Sequence, residues 1–102
     1  MANKLLSTIG ICRKAGKTVV GVDAVCKRMR ENKDVFLVLA ASGLSDNSRK
    51  KLSDKSSFYG VPVIYTEFDI LTLGAAVGNK SGSACVGITD KGLADSIGKI
   101  SL

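Results

Sequence analysis

The stretch "GVDAVCKRMRENKDVFLVLAASG", residues 21–43, changes its hydrophobic period halfway along. Its first half sets Val22, Val25, Cys26 and Met29 at i, i+3, i+4 and i+7, one apolar face of a helix running from about Val22 to Asn32. The other face holds Asp23, Ala24, Lys27, Arg28 and Arg30. The second half, Val35 to Ala41, is nearly all apolar and stops at Ser42-Gly43, the pattern of a short strand buried on both faces. A doubly buried strand needs a helical layer on each side of its sheet, so this stretch points to an α/β protein with that strand central.

Working outward, the same alternation repeats. Before it, Asn3 can cap a helix carrying Leu5, Leu6, Ile9 and Cys12, with Gly16 as its stop, and Thr18-Val19-Val20 reads as a very short strand or extended link. After it, Ser45 can cap a polar helix that Gly60 ends, and Val61 to Tyr65 is a strand with Pro62 near its start. Thr66-Glu67-Phe68-Asp69 has capping-box spacing and predicts a helix through Ile70, Leu71, Leu73 and Val77, ended by Gly78. Asn79 to Ser83 is a polar loop, Ala84 to Thr89 a small-residue strand, and Asp90 to Ile100 a terminal helix with Leu93, Ile97 and Ile100 inward. The expected architecture is a three-layer α/β/α sandwich around a four-stranded mixed sheet, in one domain over residues 1–102. Strand order does not follow from this pattern.

The chain has a net charge of +6, and it is lopsided: residues 1–55 hold twelve Lys and Arg against five Asp and Glu, residues 56–102 three against four. A basic half in a small domain points to a polyanionic partner, nucleic acid first among them. With no histidine anywhere, His-dependent nucleophilic catalysis and the usual structural zinc sets drop out. Cys12, Cys26 and Cys85 are odd in number, widely spaced and flanked by apolar residues, so three reduced, partly buried thiols are expected. Asp90 and Asp95 read as a helix cap and a surface charge rather than a catalytic pair. No window approaches the apolar length of a membrane span, so neither a signal peptide nor a membrane association is expected, and the cytoplasm is the expected location.

Gly16-Lys17-Thr18 ends like a nucleotide-binding P-loop, but residue 11, where the earlier glycine belongs, is Ile, and helix precedes the motif where a strand should. Nucleotide hydrolysis is therefore a minor alternative, and neither a cofactor nor a metal is expected.

"GVDAVCK" at residues 21–27, "SDKSSFYGVP" at 53–62, "LGAAVG" at 73–78 and "VGITDKG" at 86–92, in that order, resemble the kink-turn-binding ribosomal protein superfamily of archaeal and eukaryotic large-subunit type, and within it the short bacterial YlxQ-like members. The resemblance covers nearly the whole chain. It implies a non-enzymatic α/β/α domain that binds structured RNA, possessing a recognition helix that enters a widened groove at a kink-turn and a second loop that covers an extruded base. Transferred to this sequence, the helix entry is Gly21, Asp23, Ala24 and Lys27, and the second loop holds Lys80, Ser81, Gly82 and Ser83. Where strong kink-turn binders carry Asn-Glu, this chain has Asp23-Ala24: a carboxylate only accepts hydrogen bonds, and alanine offers none.

Beyond the motif, Arg13 and Lys17 are candidates for phosphate contact, and Arg28 shares the recognition helix. Each has an ordinary reading too. Lys27 could simply pair with Asp23 four residues earlier, Arg13, Lys14 and Lys17 could satisfy a helix C-terminus, and Arg49, Lys50 and Lys51 read as a solvated face. The expected partner is structured RNA, ribosomal RNA among the candidates, bound by a protein that is monomeric without it; the alternative is a protein-interaction module on the same fold.

Overall fold

The computed structural model describes residues 4–101, so the Asn3 cap lies outside the described residues. Among the described residues five helices and four strands alternate as α1 (Lys4–Lys14), β1 (Thr18–Val20), α2 (Val22–Glu31), β2 (Leu37–Ala40), α3 (Asp46–Tyr59), β3 (Val63–Tyr65), α4 (Ile70–Ala76), β4 (Cys85–Ile88) and α5 (Lys91–Ser101). The strands form one sheet in the order β1-β4-β2-β3. β4 runs antiparallel to both β1 and β2, while β2 and β3 are parallel. Hence β1, β2 and β3 point the same way, and the helices that follow them, α2, α3 and α4, all begin at one end of the sheet. The loop entering the reversed strand β4 arrives at that same end.

β2 lies inside the sheet and is buried along its whole length. Its residues alternate between two cores, as a strand's period of two requires. Leu37, Leu39 and Ala41 face Ile9 and Cys12 of α1, Leu73 of α4, and Ala94 and Ile97 of α5. Val38 and Ala40 face Val25 and Met29 of α2 and Leu52 of α3. This is the three-layer α/β/α sandwich around a four-stranded mixed sheet that the periodicities predict. At Gly87 of β4 a side chain would stand 3.3 Å from both Val25 and Val35, which accounts for a glycine in mid-strand. Cys12, Cys26 and Cys85 are free and buried. Burial raises all three thiols, that of Cys85 to about 12, which keeps them protonated and makes them packing residues.

The helix boundaries follow their caps. Ser45 Oγ accepts from Ser48 N–H at 3.2 Å, and Gly60, left-handed at φ 69°, closes α3. Asp90 Oδ1 accepts from Leu93 N–H at 2.9 Å at the head of α5. One predicted cap is corrected. Thr66 does not open a helix, because it follows β3 directly and is held by β2: its N–H and its hydroxyl both donate to the Ala40 carbonyl, at 2.9 and 2.8 Å. The cap is Asp69, whose carboxylate accepts from Thr72 N–H at 2.7 Å and is held below the usual carboxylate range by that bond, so α4 starts only at Ile70.

Candidate functional site

Gly21 stands between β1 and α2 at φ 99° and ψ 147°, a conformation that disfavours any side chain. It turns the chain from strand to helix without a side-chain cap, and its own N–H donates to the Cys85 carbonyl at 2.9 Å. The same carbonyl accepts the Ser83 hydroxyl at 2.8 Å. One backbone oxygen thus ties the entrance of α2 to the end of the 79–83 loop.

That loop is folded down onto α4. Asn79 N–H donates to the Gly74 carbonyl at 2.8 Å, and Ser83 N–H to the Ile70 carbonyl at 2.9 Å. Gly82 N–H donates to the Asn79 carbonyl at 3.0 Å, and the Asn79 side chain accepts from Ser81 N–H at 3.1 Å. The approach is so close that a Cβ at Gly74 would stand 2.5 Å from Gly82 Cα, which explains the first glycine of "LGAAVG". Lys80 and Ser81 are carried outward on this seat and are exposed, and Gly82 is half-buried. Ser83 is different: it is buried, and its hydroxyl is committed to the Cys85 carbonyl.

On α2, Asp23, Ala24 and Lys27 are exposed on one side while Val25, Cys26 and Met29 are buried on the other. The Asp23–Lys27 pair, the ordinary reading of Lys27, does not form. Lys51 reaches across from α3, and its Nζ donates to Asp23 Oδ1, a bond that raises the lysine's pKa. Lys27 is left without a partner among the described residues. Lys27 and Lys51 then share a groove between α2 and α3 with Arg30, Lys55 and Tyr59, and among the described residues that line it Asp23 is the one carboxylate. Arg30 on the polar face of α2, Lys51 on the face read as solvated, and Lys55, which no spacing singled out, come to one place only through the packing of α3 on α2.

Two of the predicted cations stand elsewhere. Lys17 lies at the other end of β1, where its carbonyl accepts from Thr89 N–H at 2.9 Å. At about 3.3 Å per residue that is some 13 Å from Gly21. Arg28 is closed on Asp34 by two hydrogen bonds, Nε at 2.8 Å and Nη2 at 2.7 Å. The fork holds the Asp34 carboxyl below its usual range, and the nearby Lys17 adds to the effect. Arg13 lies against Gly78: a Cβ there would stand 2.6 Å from the guanidinium, so the exposed Arg13 is held beside the start of the 79–83 loop. Among the described residues no helix is long and apolar enough to cross a membrane.

Comparison with known proteins finds the same organisation. The RNA-binding protein YlxQ of Bacillus subtilis (strain 168) is 36% identical over 89 residues, covering 87% of this chain and 86% of that protein. The RNA-binding protein YlxQ of Enterococcus faecium is 35% identical over 69 residues, 66% of each chain. A solved structure of a protein with unknown function from Bacillus halodurans C superimposes with a TM-score of 0.90 at 28% identity, covering 97% of both chains. The Giardia lamblia 15.5kD RNA binding protein shares the fold, with a TM-score of 0.76 at 19% identity over 95% of this chain and 84% of that one. The profile of the Ribosomal protein L7Ae/L30e/S12e/Gadd45 family matches residues 3–97, and the chain belongs to that family.

Proposed function

We propose that this chain is a non-enzymatic RNA-binding protein that recognises structured, kink-turn-like RNA of the ribosome or a related particle. The observation that carries the reading is the Cys85 carbonyl, which accepts from both Gly21 and Ser83 and so holds the α2 entrance beside the 79–83 loop. A bent RNA can be gripped between two such edges, with α2 facing the opened groove and the loop covering a base that has left its stack. The relatives named for RNA binding support the same reading.

In this proposal Gly21 lets the backbone come close to the RNA, Asp23 accepts from guanine N–H groups, and Lys27 meets a phosphate or a guanine O6. Ala24 contributes contact area only. Lys80, Ser81 and Gly82 form the second edge with Ser83 beneath them, and Arg13 meets the phosphates next to that edge. Lys17 and Arg28 add to the positive field from the far end of α2, Arg28 with its fork already engaged.

The test is a titration against a kink-turn RNA and the same RNA with its sheared G·A pairs replaced, each at two salt concentrations. Tighter binding of the intact kink-turn at both concentrations is expected. Equal affinities would mean that the protein binds phosphates without reading shape. Failure to bind either RNA, with protein partners recovered after nuclease treatment, would favour the protein-interaction alternative that Ala24 makes chemically reasonable.

A further inference from the structure

Phe58 has no role in the core. It stands in the last turn of α3 and is 80% exposed, although phenylalanine is among the side chains that folding ordinarily buries. The inward side of α3 is Leu52 and Ser56. Phe58 lies opposite, among Asn47, Lys50, Lys51, Asp54 and Lys55, which line one hollow with it. At 3.6 residues per turn these six span an arc of roughly 140°, with Phe58 near its middle. The ring meets that of Tyr59 edge to face, centroids 4.9 Å apart at 85°, and Tyr59 packs on the core of α2 and α3. Phe58 is therefore a supported aromatic face within a ring of lysines.

Lys51 and Lys55 also line the groove between α2 and α3, so the two surfaces are continuous. We propose that the outer face of α3 binds single-stranded RNA: a strand leaving the structured element at α2 passes Lys51 and Lys55 and stacks a base on Phe58. Lys51 and Phe58 are about 10 Å apart along the helix axis at 1.5 Å per residue. Charge selects this occupant. Lys51 is paired with Asp23, but Lys50 and Lys55 have no ion-pair partner among the described residues. With Asp54 the hollow therefore stays positive on balance and matches a phosphate chain, whereas an uncharged protein segment seated on Phe58 would leave those two lysines without anions. Every base offers a π face, so an aromatic platform with basic flanks binds an unpaired strand with little regard to sequence.

This inference rests on the RNA-binding reading, and the experiment separates the two. A blunt kink-turn RNA, the same RNA with an unpaired extension on either end in turn, and a single-stranded oligonucleotide carrying 2-aminopurine are titrated against the wild type, Phe58→Ala and Phe58→Tyr. One extension should tighten binding about tenfold, the size of one stacked base. Phe58→Ala should abolish that gain with the blunt RNA bound as before, and Phe58→Tyr should keep it. The oligonucleotide alone should be quenched by the wild type and not by Phe58→Ala. A gain from neither extension, or one that survives Phe58→Ala, overturns the proposal, as does a change in self-association on Phe58→Ala with every RNA affinity unchanged. Loss of blunt-RNA binding by the wild type itself would instead count against the function proposed above.

Discussion

Besides the Arg30–Glu31 contact within it, helix α2 has two ion pairs that reach beyond it, one near each end, and the two are built for different ends. At its finish, the planar fork of Arg28 closes on both oxygens of Asp34, in the link that leads into β2. At its start, one lysine of α3 meets one oxygen of Asp23, whose side chain is 90% exposed. A bidentate guanidinium fixes distance and orientation together, whereas an ammonium on a flexible stem fixes little more than charge. The finish of α2 is thus fastened to the sheet, and its start keeps exchangeable charge at the surface. The difference teaches that a count of Lys and Arg overstates the cations a partner meets, because Arg28, though part-exposed, has its fork already closed on Asp34.

The sharpest way to break the open end is to unseat the loop beside it. Gly74→Ala drives a methyl group against Gly82 Cα and the Asn79 carbonyl, backbone atoms that cannot rotate aside, and should cost about 3 kcal/mol of stability by chemical denaturation. RNA affinity should fall with it, since Lys80 and Ser81 lose their support. Unchanged stability would mean that the loop does not rest on α4 as described.

Next in size, Lys27→Ala should cost about 2 kcal/mol of RNA binding and lower the slope of log K against log salt by about one, with the melting temperature unmoved. An unaltered slope would remove Lys27 from the phosphate contacts.

At the fastened end the effect is on folding. Arg28→Met should lower stability at neutral pH while weakening RNA binding less than Lys27→Ala does. The sign of the pH dependence follows from Asp34, whose carboxyl the Arg28 fork holds low in the folded state. The pair's contribution is complete above the unfolded carboxylate value near 4 and is lost as the pH falls through the lower folded value. The gap between wild type and Arg28→Met, followed by melting from pH 7 into acid, should hold steady and then close. A gap that widened in acid would contradict the pairing.

The smallest change is expected from Lys51→Ala, a loss of a few-fold in RNA affinity. If Lys51 acts by offsetting the charge of Asp23, the loss should be smaller when Asp23→Asn is already present. A cost that is the same in both backgrounds would mean that Lys51 meets the RNA by itself.

Much of this molecule was legible in the sequence. The switch from helical period to a solid apolar run gave α2 and β2, because a doubly buried strand admits few other readings, and Ser45 and Gly60 bracketed α3 through local chemistry alone. What escaped was non-local. Thr66 has the spacing of a cap, but the last carbonyl of β2 takes both its donors, and no local pattern reveals that competition. The insertion of β4, antiparallel, between β1 and β2 depends on pairing across distant segments. At the candidate site, the Gly21–Lys27 motif was visible, yet Asp23 took its partner from 28 residues away, and Ser83 turned inward because the loop folds onto α4.

The Cys85 carbonyl has one further consequence. With two donors on a single oxygen, the helix entrance and the loop behave as the two arms of a jaw hinged on one pin, its opening set before anything enters it. A grip assembled in advance loses less motional freedom on closing round its target, so modest contacts along each arm can suffice for firm binding.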